Sequence, residues 1–240
     1  MRRPRPLGPG ATVRVIAPSS PFDRGRLPAG VRVLREMGLV PAWSDRVFQE
    51  EGYLAGPDSL RAKELVAAMA SDPCDAVIPA RGGYGSMRIL DEVARHAGAM
   101  AGKLFMGFSD ITALHLLFIG TVGLVTFHGP NVISMARLGA ASLDRLRSAL
   151  AGSGREACFT YGGLAPLVGG RARGRVVAGN LSLVTALIGT RWAAPLSGAL
   201  LSVWLPLALA SPNAPTAKVS PASAMLLPNR SKPTGLEAFT

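Results

Sequence analysis

The tetrad Gly107-Phe108-Ser109-Asp110 is where this sequence comes nearest to chemistry. An apolar run, Lys103 to Phe108, leads into it, and a helical pattern, Asp110 to Phe118, leads away. A serine at the apex of a tight strand-to-helix turn has its hydroxyl pushed out of the chain. The backbone N–H that follows then faces any oxyanion formed there. This is the nucleophile elbow, G-x-S-x-G. Gly107 fills the first glycine, but Ile111 stands at the second, so the match is partial. The plainer reading is that Ser109 or Asp110 caps the helix that follows. Spacing alone leaves both open.

A second loop, Arg81-Gly82-Gly83-Tyr84-Gly85, follows the apolar run Asp75 to Ala80. Successive glycines let backbone N–H groups approach a ligand as an anion nest or an oxyanion donor. An ordinary glycine-rich turn has the same composition. The loop is not G-x-G-x-x-G and no Gly-Lys-Ser/Thr follows, so a nucleotide site is only weakly supported. Ala17-Pro18-Ser19-Ser20-Pro21 closes the first apolar run and reads as a turn without chemistry. A serine nucleophile needs a base, usually histidine, and the sequence holds three. His96 ends a helix, where the dipole favours it. His115 lies six residues beyond Ser109, about 600° of helical rotation, which puts it on another face. His128, in Thr126-Phe127-His128-Gly129-Pro130, stands at a strand end. It either approaches the same cleft or is a hydrogen-bonded structural histidine.

The elements that must carry these loops alternate. Thr12 to Ala17, Asp75 to Ala80, Lys103 to Phe108 and Leu124 to Phe127 read as strands, rich in β-branched and apolar residues. Val31 to Met37, Leu60 to Ala70, Ser86 to His96 and Asp110 to Phe118 read as helices, the first closed by Gly38 at C′. Strands alternating with helices predict an α/β fold with an open, mostly parallel sheet and flanking helices, flavodoxin-like or Rossmann-like. In such sheets ligands sit outside the carboxyl ends of the strands, which is where all of these loops fall. The predicted organisation is a nucleophile domain over 1–150, a Gly-rich linker over 151–170, the start of a second α/β domain over 171–200, and an irregular Pro/Ala/Ser-rich tail over 201–240. The second domain opens with a strand at Gly174 to Ala178 and a helix from Leu181 to Ile188.

Composition bounds the function. The 240 residues suffice for a sizeable core, and 48% hydrophobic with 17% charged residues excludes a disordered chain. Cys74 and Cys158 fit neither a disulfide framework nor a zinc site. No apolar segment follows the basic start, so the expectation is a cytoplasmic protein without a secretory signal. Trp192 to Ala217 carries no charge, but prolines interrupt it, and its dense apolar part falls short of the ~20 residues a membrane span needs. The formal charge is +11, yet the arginines form no stripe and no aromatic interleaving, which speaks against a nucleic-acid partner. The charge is also uneven: after Glu156 the only acid is Glu237.

Together the loops resemble the LD-carboxypeptidase family, which includes muropeptide carboxypeptidases and microcin-C immunity peptidases. The resemblance rests on Val15-Ile16-Ala17-Pro18-Ser19-Ser20-Pro21, Arg81 to Gly85, Gly107 to Leu114, Thr126 to Pro130 and Gly179-Asn180-Leu181-Ser182-Leu183 with Leu187-Ile188-Gly189-Thr190. It covers about residues 10–200 and implies a serine peptidase with a Ser-His-Glu triad. Ser109 takes the place of the nucleophile, and the N–H groups of Gly83 and Asp110 that of the oxyanion hole. Arg81, Tyr84 and His128 fall in the implied substrate cleft. The implied substrate is a cytoplasmic muropeptide, or another peptide, cut between an L- and a D-centre during peptidoglycan recycling. Neither a metal nor an organic cofactor is implied, and family members tend to be homodimers.

The sequence then departs from the family. The triad glutamate is expected near Ser202-Val203-Trp204, where no acid stands, and no histidine follows His128. A serine without its base cannot lose its proton efficiently. The expectation is therefore that residues from about 201 are out of register with the family through a frameshift, a rearrangement or an early stop. A catalytically inactive remnant, or a muropeptide-binding module, is the alternative. Reading the other frames of the coding DNA past codon 200 tests this: absence of a Glu-bearing strand and a later His in both frames refutes the frameshift. The same expectation leaves the helix from Leu181 to Ile188 without partners to bury it.

Overall fold

Strands β3 (Ala76–Pro79) and β4 (Leu104–Gly107) are buried at every residue, as continuous apolar runs at the centre of a parallel sheet should be. Around them lie β1 (Thr12–Ile16), β2 (Val40–Ala42) and β5 (Phe127–His128), all parallel, in the order β2-β1-β3-β4-β5. This is the flavodoxin-like order, whose switch point lies between β1 and β3. The fold is α/β, as the sequence predicts. The computed structural model describes residues 1–100, 102–152 and 168–204, and the backbone of 223–224. Cys158, most of the predicted linker and most of the predicted tail lie outside the described residues.

Alternate side chains of the strands feed two cores, one on each face. Ile16, Val77 and Phe105 meet α2 (Asp58–Ala70), α3 (Leu90–Arg95) and α4 (Thr112–Leu117). Val13, Val15, Ile78 and Met106 meet α1 (Leu27–Glu36), α5 (Val132–Met135) and α6 (Ala140–Leu150). The sequence reading starts α1 four residues late because it discounts Pro28, which belongs in the first turn where its missing N–H costs nothing. Gly38 follows the C-cap at φ +81°, the predicted C′ glycine. The helix expected over Ser86 to His96 opens as a 3-10 turn, Ser86–Ile89, before α3. Leu124, read as strand, makes only a bridge to Arg2, so β5 shrinks to two residues.

A second sheet, in the order β6-β7-β8, is built from β6 (Arg175–Asn180), β7 (Ala199–Trp204) and β8 (Ser223–Ala224), with α7 (Leu181–Ala186) after β6. β6 and β7 are parallel and β8 antiparallel. The pattern therefore runs past residue 200, since 201–204 continue β7 in register with β6. The expectation that the helix after Asn180 lacks partners is also corrected. Val184 and Leu187 are buried in the core that holds α4. Trp192 Nε1 donates to Asp91 on α3 at 2.8 Å, and Arg191 pairs with the same carboxylate at 2.7 Å. The Arg191 bond holds the Asp91 carboxyl below the usual carboxylate range. No helix among the described residues is long and apolar enough to cross a membrane.

Candidate active site

Ser109 is the only non-glycine among the described residues with positive φ, at +65°. A left-handed serine costs about 1–2 kcal/mol relative to the right-handed conformation, so the surroundings must hold it there. Three contacts do so. Gly107 lies so close to Ile111 and Asn131 that a Cβ would sit 2.8 Å from the isoleucine Cγ2, which excludes any side chain two residues before the serine. The buried Asn131 side chain brackets Phe108, accepting from its N–H at 3.3 Å and donating to its carbonyl at 3.4 Å. From beneath, His115 Nε2 donates to the Gly107 carbonyl at 2.8 Å.

His115 is thus fixed in a role that its spacing hinted at only by exclusion. Nε2 must carry the proton to serve a carbonyl, so Nδ1 accepts from Thr126 Oγ1, 2.9 Å away. Burial drives its pKa down to about 3, against a partly opposing bond to the Gly107 carbonyl. A ring this buried and this committed positions the turn rather than serving as a base. His128 lies beside it, with ring centroids 6.0 Å apart, but it is exposed and its ring makes no hydrogen bond among the described residues. The reading of His128 as a hydrogen-bonded histidine is therefore corrected. His96 is the C-cap of α3, where its Nδ1 lies 3.0 Å from the Glu92 carbonyl.

The glycine-rich loop closes over the same turn. A Cβ on Gly82 would lie 3.2 Å from Ser109 Cβ. Gly83, at φ +118°, packs so tightly on Ser20 that a Cβ would meet its Oγ at 2.4 Å; no other residue fits there. Ser20 Oγ accepts from Tyr84 N–H at 3.0 Å, and Ser19 Oγ lies 2.9 Å from Ser86 Oγ. Ala17 to Pro21, read as a turn without chemistry, is thus the cradle of the loop beside Ser109. The buried Asp110 carboxylate accepts from Ser86 N–H at 2.8 Å and ties the loop to the elbow.

Asn131 and Arg61 of this scaffold escaped the sequence reading. Arg61, fully buried on α2, donates to the carbonyls of Pro18, Gly56 and Gly85 and pairs with Asp58. It clamps the turn at 17–21 and the loop at 81–85 together from one guanidinium. An arginine inside an apolar helical face was the available signal, since such a charge is buried only when it is paired.

These contacts leave an open cleft of about 260 Å³ lined by Gly82, Gly83, Phe108, Ser109, Asn131 and three arginines, one of them Arg81. Ser109, Gly83 and Arg81 all line it. Tyr84 and His128 do not line it; Tyr84 turns outward, its ring 5.4 Å from that of Tyr53. Among the described residues the Ser109 hydroxyl has no hydrogen-bond partner and the N–H groups of Gly83 and Asp110 have no acceptor. A free hydroxyl beside two free N–H donors at the carboxyl edge of a parallel sheet is suited to nucleophilic attack on a carbonyl.

The fold and this turn define a doubly wound α/β protein with a strained serine at a strand end. Residues 13–129 match the LD-carboxypeptidase N-terminal domain. It is 44% identical over 198 residues to the Streptomyces coelicolor protein named "Putative carboxypeptidase SCO6489", covering 80% of this chain. It is 36% identical over 211 residues to the "Probable murein peptide carboxypeptidase" of Bacillus subtilis, covering 84% of this chain. The chain spans 64% of the length of each of these relatives. Its fold is similar to the crystal structure of an MccF-like protein from Bacillus anthracis, with a TM-score of 0.73 at 24% identity over 84% of this chain and 69% of that one.

Proposed function

We propose that this chain derives from a serine LD-carboxypeptidase that cuts the amide between an L- and a D-centre in a cytoplasmic muropeptide. In that reaction Ser109 Oγ gives its proton to a base and attacks the scissile carbonyl, the N–H groups of Gly83 and Asp110 hold the oxyanion, the D-amino acid leaves as its protonated amine, and water then frees the acyl group from Ser109. The observation that carries this reading is the left-handed Ser109, with its hydroxyl unpartnered and opening onto the cleft. Backbone strain of this kind persists where function requires it. Losing one oxyanion donor costs roughly 10²–10³ in rate, so on this reading the Gly83 conformation is part of the machinery, though second to the serine. We read residues 1–150 as the nucleophile domain and 171–204 as the opening of the domain that would complete the site.

A second reading has its own support. β7 reaches residues 202–204, where the family places its triad glutamate, and carries no acid there; no histidine follows His128. On that reading the chain binds muropeptides without cutting them. The deciding experiment is incubation with an LD-linked tetrapeptide, with mass spectrometry for released D-alanine. Release that vanishes in Ser109→Ala supports the enzyme. Binding of the tetrapeptide without release by protein that melts cooperatively refutes it and leaves the binding module.

A further inference from the structure

Three arginines border the cleft that holds Ser109, from three separate parts of the chain. Arg26 ends the 3-10 turn before α1, Arg81 follows β3, and Arg137 follows α5. No acid lines the cleft, and among the described residues none of the three is in an ion pair. Arg81 is oriented by a 2.8 Å bond to the Pro21 carbonyl. Arg26 occupies the N-cap of α1 with no side-chain cap bond, a place where the helix dipole disfavours a cation. The cleft thus gathers three like charges, one of them against the helix dipole, with no acid in its lining.

We propose that Arg26, Arg81 and Arg137 form a carboxylate subsite that takes the free C-terminal carboxylate of a peptide. The guanidinium fork matches a carboxylate in two parallel hydrogen bonds, and a concave basic surface concentrates anions. The proposal rests on the reading of Ser109 as nucleophile only for the position of the cut, one residue before that carboxylate; the binding stands by itself. It explains selectivity for chain ends in physical terms. An internal peptide bond would present a neutral amide to three positive charges and leave them unmatched.

The test is equilibrium binding to the Ser109→Ala protein, in which the proposed cut is blocked. The ligands are a tetrapeptide ending in D-alanine as the free acid, the same peptide as its C-terminal amide, and AMP as an oxyanion of different chemistry. The free acid should bind roughly 10- to 100-fold more tightly than the amide, as expected for charge-assisted hydrogen bonds, and less so at high salt. Arg26→Ala with Arg137→Ala should erase that preference with the melting temperature unchanged, since both side chains are exposed. Equal binding of acid and amide, no binding of either, tighter binding of AMP than of the acid, or a preference that survives the double substitution would each overturn the subsite. Acid preference without D-alanine release by the Ser109 protein sinks the nucleophile reading alone. Release with equal binding of acid and amide sinks the subsite alone.

Discussion

Lowering the pH should loosen the elbow through His115, and the structure gives the size of the effect. The ring is neutral in the folded protein down to about pH 3 because burial opposes its charge, whereas an unfolded histidine titrates near 6.5. A depressed folded pKa means that the stability is fully present above pH 6.5 and is lost as the pH falls between 6.5 and about 3. The slope in that window is about 1.4 kcal/mol per pH unit, so acidifying from pH 6.5 to 5 costs about 2 kcal/mol. Urea unfolding at the two pH values measures it, above the range where carboxylates protonate. His115→Gln isolates the ring, because the carboxamide can still donate to the Gly107 carbonyl but does not titrate. His96 and His128 are present in both proteins and cancel. The variant should lose about 2 kcal/mol less than the parent over the same step. Equal losses in the two proteins would refute the placement of a neutral, buried imidazole beneath the turn.

Two further outcomes follow from the same scaffold. Ser109→Gly should be more stable than Ser109→Ala by about 1 kcal/mol, because relief of a left-handed cost of ~1–2 kcal/mol exceeds the added chain entropy of glycine; thermal melts in which the alanine variant is the more stable would show that the turn is unstrained. Arg61→Ala should cost about 3–5 kcal/mol in urea unfolding, since the carbonyls of Pro18, Gly56 and Gly85 lose their donor in a buried setting; a loss below about 1 kcal/mol would mean that water replaces the guanidinium.

Most of the sheet was legible because parallel central strands are short apolar runs with turns at their ends. The runs before Pro18, Arg81 and Ser109 needed no tertiary information. β2 was missed because Val40-Pro41-Ala42 is three residues long and contains a proline, which periodicity cannot distinguish from a loop. β7 was missed because its apolar residues merge with an equally apolar, proline-broken stretch beyond it. At the site, the identity of Ser109 and the glycines was readable as local pattern. The contacts of His115 with Gly107 and of Asn131 with Phe108 were not, because each joins elements that only the sheet order brings together. Arg26 and Arg137 stand 111 residues apart in the sequence, and nothing local marks either as part of a cleft.

The geometry also separates two things that the sequence alone leaves fused: whether the position for a catalytic carboxylate exists, and whether the carboxylate does. Thr112, three residues beyond Ser109, accepts from Asn180 N–H at 2.9 Å, which sets the carboxyl end of β6 against the helix that follows the elbow. β7 runs in register beside it, with Ser202 opposite Ala178, Val203 opposite Gly179 and Trp204 opposite Asn180. Residues 202–204 are therefore held one strand away from the chain that touches the start of α4. A backbone that had lost its way before residue 200 would not deliver β7 to that place in continuous parallel register. On the proposed reading, what 202–204 lack is an acidic side chain, on a strand that is still formed in register with β6. The cleft beside Ser109 is lined by residues of the first sheet and its loops, so the binding proposed for it can be tested without the second sheet supplying a base.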